Sequence, residues 1–393
     1  MSSADRVLRG AAEAIEHISG ICFKTGPPRH LGVELEWTTH HVDDPAVPVP
    51  AADLRDALGV HAPAALGNPQ PVPLPGGGTV TAEPGGQLEI SSAPADALPA
   101  LHAAVTADHA ALAGMLARAG LRLGDRGIDE HREPARILDT PRYAAMERSF
   151  DRAGRTMMTG TAGLQVCLDA GEAHQIAGRW AALHDFGPPL LALFANSAVH
   201  AGRDTGWASA RMAAWYGIDP RRAGPAFRES GSPAEDWARY ALDAPLLCVR
   251  RDDGRWDAPP GVTFADWITD GTPTVSDLEY HLSTLFPPVR PRGYLEVRYL
   301  DTQPGPDWIA PAAVLTALMA DDVITAQGRE IAAPVAGRWR AAARDGLRDP
   351  AVRAAAAGLA ELACRHFDRT GLDDVVRKQV SDVVDARLKG NAR

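Results

Sequence analysis

Four stretches of this chain set a polar side chain every second residue against aliphatic neighbours: Glu34 and Glu36 beside Val33 and Leu35; Gln87 and Glu89 beside Leu88 and Ile90; Gln165 and Cys167 beside Val166 and Leu168; and Glu296 and Arg298 beside Leu295 and Val297. In an extended strand, residues two apart share a face. Each stretch therefore reads as a strand with one apolar face for helices to cover and one face bearing carboxylates, amides or arginine. Carboxylates gathered on one face repel each other, more so when partly buried. A divalent cation relieves that repulsion, and oxygen donors of this kind suit Mg²⁺ or Mn²⁺ and not zinc. The plainer reading is that each pair is the wet face of an antiparallel sheet. Three strands carrying acidic residues, little lysine nearby and Gly85-Gly86 beside one pair weigh toward the cation.

The surrounding pattern fixes the class. Strands are expected over 30–39, 78–82, 86–92, 156–169, 246–251 and 292–300, and helices over 4–19, 53–58, 94–118 (capped by Ser92 and stopped by Gly120) and much of 171–244, with a helical run from 307 onward. Strands and helices fall in blocks, which favours α+β over a doubly wound sheet. No repeat or clear linker divides the 393 residues. The expected organisation is one catalytic domain over 1–393, with a sheet-bearing core (1–300) and a helical C-terminal region (301–393).

Composition narrows the partners. The net charge of −10 argues against nucleic acid and fits a protein that gathers cations. Lysine occurs only at 24, 378 and 389, so arginine supplies nearly all positive charge. The four cysteines, Cys22, Cys167, Cys248 and Cys364, show no metal-ligand spacing and read as separate reduced thiols. No apolar run is long enough to span a bilayer, and the charged N-terminal stretch reads as a solvated helix, so a cytoplasmic protein without a membrane or obligate protein partner is expected. There is no P-loop motif. A nucleotide's charge would then be met by metal ions and by arginines such as Arg211 and Arg298. His40-His41 with Asp43-Asp44 offers a further ligand set, but in a segment that reads as loop.

Six stretches, in order, carry a more specific signal: GVELE (32–36), EPGGQLEISSAP (83–94), MMTGTAGLQVCLD (157–169), ALFANS (192–197) followed by Arg211, YALDAP (240–245), and HLSTLFP (281–287) leading to YLEVR (294–298). Together they resemble the glutamate–cysteine ligase family in its plant and bacterial branch. The compact, Arg- and Ala-rich chain is most similar to the actinobacterial members that feed ergothioneine synthesis. The resemblance implies an antiparallel sheet curled into a funnel with helices outside, as in glutamine synthetase and the guanidino kinases. It implies that ATP phosphorylates the glutamate side chain and that the cysteine amine displaces the phosphate, giving γ-glutamylcysteine. Carried over, Glu34, Glu36, Glu83, Gln87, Glu89 and Glu296 form the metal shell, with Glu34, Glu83 and Arg298 toward the nucleotide. Arg211 and Arg298 are the catalytic cations, and Gln165, Arg211, Trp215 and Tyr240 the substrate contacts. The plant-like pattern has Asn where this chain has Cys167, and Gly where it has Ser92; neither departure removes a carboxylate. Two other readings use the same scaffold: a carboxylate–amine ligase with another amine acceptor, and a non-catalytic nucleotide or amino-acid binding protein.

Overall fold

The computed structural model describes residues 6–27, 29–227 and 231–390. Its centre is an open, six-stranded, fully antiparallel sheet: β1 Leu31–Trp37, β2 Thr79–Ala82, β3 Leu88–Ser91, β4 Gly163–Leu168, β5 Val289–Pro291 and β6 Leu295–Asp301, in the spatial order β2-β3-β1-β4-β6-β5. Strands 31–37, 79–82, 88–91 and 295–301 stand where the alternation places them. β5 went unrecognised because it is three residues long and ends in Pro291, a residue tolerated on an edge strand.

One face of the sheet is packed. Val33, Leu35, Leu88, Ile90, Leu164, Val166, Leu295 and Val297 are buried. The helices packed around the sheet include α1 Ala11–Cys22, α2 Leu98–Arg118, α3 Pro141–Gly160, α4 Gly187–Leu193, α5 Ala210–Tyr216, α6 Ile309–Leu318, α7 Pro350–Arg365 and α8 Asp374–Leu388. Of these, α2 lies against β1, α6 against β4, and α4 against β6, while α7 backs both α4 and α6. The C-terminal helices thus share the sheet's core. Arg387 of α8 fastens them to it, donating to Gln303 Oε1 at 2.8 Å and to the Ala195 carbonyl at 3.0 Å.

The structure corrects several expected elements. Residues 156–160 close α3, and the strand starts only at Gly163. Thr140 caps α3, accepting from the Tyr143 N–H at 3.2 Å, with Pro141 at the first helical position. The stretch 246–251 makes one isolated bridge, Cys248 to Asp257, and no strand. The first helix begins at Ala11; the earlier positions 4 and 5 lie outside the described residues. Ser92 caps no helix: its hydroxyl accepts from Val33 N–H at 3.0 Å, and α2 starts at Leu98 after an uncapped Ala97. His40 is buried and bonded to Thr38 and the Pro45 carbonyl, which removes it from metal ligation. All four cysteines are free.

Candidate active site

Strand register gathers the chemistry. Across the unpacked face, Thr81, Glu89 and Glu36 stand in one row; Ser91, Glu34 and Gln165 in the next; Gly32, Cys167, Glu296 and Arg290 in a third. Glu83 joins them from the turn between β2 and β3. That turn needs both its glycines. A Cβ on Gly85 would sit 2.1 Å from the Thr159 carbonyl oxygen, and Gly86 adopts φ +87°.

These rows floor a cleft of about 480 Å³. Glu34, Glu36, Glu83, Glu89, Gln165 and Arg298 face it from the sheet and its turn, with Arg290 and Arg292 at one end. Its roof is α3, whose 20 residues break at Asp151 (φ 49°, ψ −137°). The first half presents Arg142, Tyr143 and Met146, and the second Met157 and Met158. Trp215 of α5 and the loop carrying Ser283 and Phe286 complete the wall. Trp215 packs edge-on to Phe286 at 5.3 Å and lies under the Arg298 guanidinium at 5.8 Å. Arg142 ties roof to loop, donating to Ser283 Oγ at 3.0 Å and to its carbonyl at 2.9 Å. A second cavity of about 450 Å³, lined by Lys24, Gly26, His30, Cys167 and Tyr294, adjoins the first at Glu34 and Ser91.

The electrostatics divide the acidic residues in two. Glu296 is fully buried and saturated with arginine: Arg290 grips both its oxygens at 2.6 and 3.1 Å, Arg298 reaches it at 3.1 Å and Arg292 at 3.8 Å. Burial alone would raise its pKa; the three arginines overcome that and hold it at about 2. None of Glu34, Glu36, Glu83 and Glu89 is ion-paired to a basic side chain among the described residues. Glu36 accepts from the Gly163 N–H at 2.6 Å and from Gln165 Nε2 at 3.2 Å. One Glu89 oxygen accepts from the Thr81 and Ser91 hydroxyls at 3.0 and 2.8 Å. Desolvation first, and then the neighbouring carboxylates, push Glu89 well above its usual range; desolvation and Glu36 push Glu83 to about 7, and desolvation and Glu296 raise Glu34. Four hard oxygen donors that share one cleft, lack an ion-pair partner and are only partly offset by Arg142, Arg290, Arg292 and Arg298 fit Mg²⁺ or Mn²⁺.

A model of the glutamate–cysteine ligase family 2 matches residues 30–381. The chain belongs to this family. Within it, the chain is 40% identical to the glutamate–cysteine ligase EgtA of Mycobacterium tuberculosis over 375 residues, spanning 92% of this chain and 84% of that one. It is 29% identical to the chloroplastic glutamate–cysteine ligase of Nicotiana tabacum over 285 residues, 69% of this chain and 54% of that one. Its fold matches the crystal structure of the Francisella tularensis glutamate–cysteine ligase in complex with AMP, with a TM-score of 0.53, 12% identity and coverage of 94% and 82% of the two chains.

Against the family's expected residues, Glu34, Glu36, Glu83, Glu89, Gln165, Trp215 and Arg298 do meet in the cleft of this ligase-family member. Four others are placed differently. Glu296 lies within 4.8 Å of ligating atoms of Glu34 and Cys167, with its oxygens engaged by Arg290 and Arg298. Gln87 edges the cleft with its amide spent on the scaffold: its carbonyl accepts from Gly85 N–H, and its NH₂ donates to the Met158 and Thr161 carbonyls. Tyr240 is a core residue stacked on Trp237 at 5.4 Å. Arg211 is 2% exposed and lies behind the cleft wall. Conversely, Arg142, Tyr143, Met146, Arg290 and Phe286 were not singled out. Nothing comparable to strand alternation marks them: Arg290 lies on a three-residue strand and the α3 residues on a broken helix.

Proposed function

We propose that this chain joins the side-chain carboxylate of glutamate to the amine of cysteine at the expense of ATP, giving γ-glutamylcysteine for ergothioneine synthesis. The observation that carries the reading is the set of four carboxylates without ion-pair partners that share one cleft with Arg142, Arg290, Arg292 and Arg298. Glutamate's γ-carboxylate oxygen attacks the terminal phosphorus of ATP, releasing ADP. The cysteine nitrogen then attacks the resulting acyl phosphate, the C–O bond to phosphate breaks, and the amine loses a proton. Mg²⁺ held by Glu34, Glu36, Glu83 and Glu89 would neutralise the ATP phosphates. Arg298 is held by Glu296 and the Gln165 carbonyl, and in this reading its guanidinium would stabilise the charge that develops on the transferred phosphoryl group. Gln165 in turn donates to Glu36, tying cation and carboxylate into one unit. Met146, Met157, Met158, Phe286 and Trp215 supply the apolar, polarisable wall suited to a thiol side chain. The adjoining cavities give separate room for nucleotide and amino acids, and a funnel-like curl of the glutamine synthetase kind belongs to the same reading.

The test is ADP release with ATP and Mg²⁺ plus glutamate, cysteine, both, or glutamate with other amines, with the product weighed by mass spectrometry. Turnover requiring both, with the mass of γ-glutamylcysteine, is expected. Turnover with a different amine would retain the phosphoryl step and reassign the acceptor; nucleotide binding with no turnover would leave a binding protein on this scaffold.

A further inference from the structure

We infer that Arg211 is a positioning residue: it clamps a β-bulge so that Arg298 and Glu36 face each other across the cleft, and it does not itself touch substrate. The inference rests on the ligase reading for its assay, and on geometry for its argument.

The bulge is in β6. Leu295, Glu296 and Val297 pair with Leu168, Cys167 and Val166, whereas Leu300 and Asp301 pair with Leu164 and Gly163. Arg298 and Tyr299 therefore stand together opposite the single Gln165. Such an insertion re-aims a side chain and takes a peptide group out of the ladder. The Arg298 N–H finds the Pro288 carbonyl at 2.8 Å, and the displaced Arg298 carbonyl accepts from Arg211 Nη2 at 3.0 Å. The guanidinium fills the space beside the bulge and lies flat on Gly163, where a Cβ would come within 2.3 Å of Nη2 and 2.7 Å of Cζ. Any larger residue there must displace the guanidinium. The N–H of that same Gly163 donates to Glu36 Oε2 at 2.6 Å. One buried group thus sets the backbone that aims the cleft's central cation and the backbone that holds one of its carboxylates.

The clamp has support from behind. Asp301 contributes negative charge near Arg211 and is itself held by Asn196 N–H at 2.8 Å, Ser197 Oγ at 2.7 Å and Ser209 Oγ at 2.8 Å. Trp215, one helical turn on from Arg211, lies under both guanidiniums, at 5.9 Å from Arg211 and 5.8 Å from Arg298. Lysine would keep the charge but lose the plane that covers Gly163.

The test is steady-state kinetics on the full chain, beginning with the wild type. Absence of wild-type turnover with any amine would sink the ligase reading before the clamp is examined. Given turnover, Arg211→Lys should lower kcat about 10²-fold, the scale set by a misplaced catalytic group. KM for glutamate and for the amine should stay within about twofold, because no substrate contact is lost. The double variant Arg211→Lys/Arg298→Lys should be slower than Arg298→Lys alone by clearly less than the factor Arg211→Lys costs in the wild type, since part of the Arg211 effect runs through Arg298. Gly163→Ala, which displaces the guanidinium without altering a charge, should reproduce the kcat loss, and it carries the comparison should Arg211→Lys fail to fold. A raised KM for glutamate with kcat kept would make Arg211 a substrate ligand and overturn the inference. Additive losses, or wild-type kcat in folded Arg211→Lys and Gly163→Ala, would overturn it equally.

Discussion

Glu89 illustrates how a single side chain can work against the fold that holds it. Its carboxylate is buried, near three other carboxylates and bonded only to hydroxyls, so its charged form is costly until a cation arrives. Glu89→Gln should therefore abolish turnover, by about 10²-fold or more, while raising the melting temperature of the cation-free protein at neutral pH. Loss of both activity and stability would contradict the assignment. Arg298→Lys should also be far from conservative, because a point charge cannot reach Glu296 and Gln165 while presenting a planar fork; retention of most activity would reduce Arg298 to a structural role. Glu83 gives the pH dependence. Its folded-state pKa of about 7 exceeds its ordinary 4.5, so between those values the native protein holds a proton that the unfolded chain has released. That contribution is complete below pH 4.5 and is lost as pH rises through 7. Metal-free protein should melt lower at pH 8 than at pH 5, Mg²⁺ should restore the loss, and Glu83→Gln should flatten the slope in a thermal-unfolding series.

Elements explain what the sequence could and could not reveal. Glu34, Glu36, Glu89 and Arg298 were legible because strand alternation has a period of two and the register does the rest. Glu296 has the same alternation, but its three arginines were not legible: the pattern shows which way a side chain points and not which charges await it. Arg290 sits on a three-residue edge strand, too short to carry a pattern. Gln87 shows the limit of face-sharing in a turn, where the backbone itself competes for the amide. The roof was hidden because α3 changes direction at Asp151, so no single helical stripe collects Arg142, Tyr143, Met146, Met157 and Met158. The β2–β3 turn is the element most sensitive to size. Gly85→Ala drives a methyl group against the Thr159 carbonyl and should cost about 1–3 kcal/mol, with activity falling further than stability because the turn carries Glu83. Chemical unfolding and ADP release measured on the same preparation would check this; unchanged values for both would refute it.

At the scale of the whole molecule, no single helix among the described residues is long and apolar enough to cross a membrane. The C-terminal helices are part of one core with the sheet, through α6 on β4 and through Arg387. Arg387→Ala should lower stability by about 1.5–3 kcal/mol and leave kcat nearly unchanged, since it holds α8 far from the cleft; an intact unfolding midpoint would show that the helix needs no such fastening. The same whole-molecule view separates two inventories. The carboxylates and Arg298 belong to the ladder and its turn, where one shifted residue would scramble every row. The wall of Met146, Met157, Met158, Trp215 and Phe286 is borrowed from helices and a loop that make no ladder bonds. Evolution, or a designer, can therefore rewrite which amine is welcomed by changing that wall, while the phosphate chemistry beneath is inherited intact.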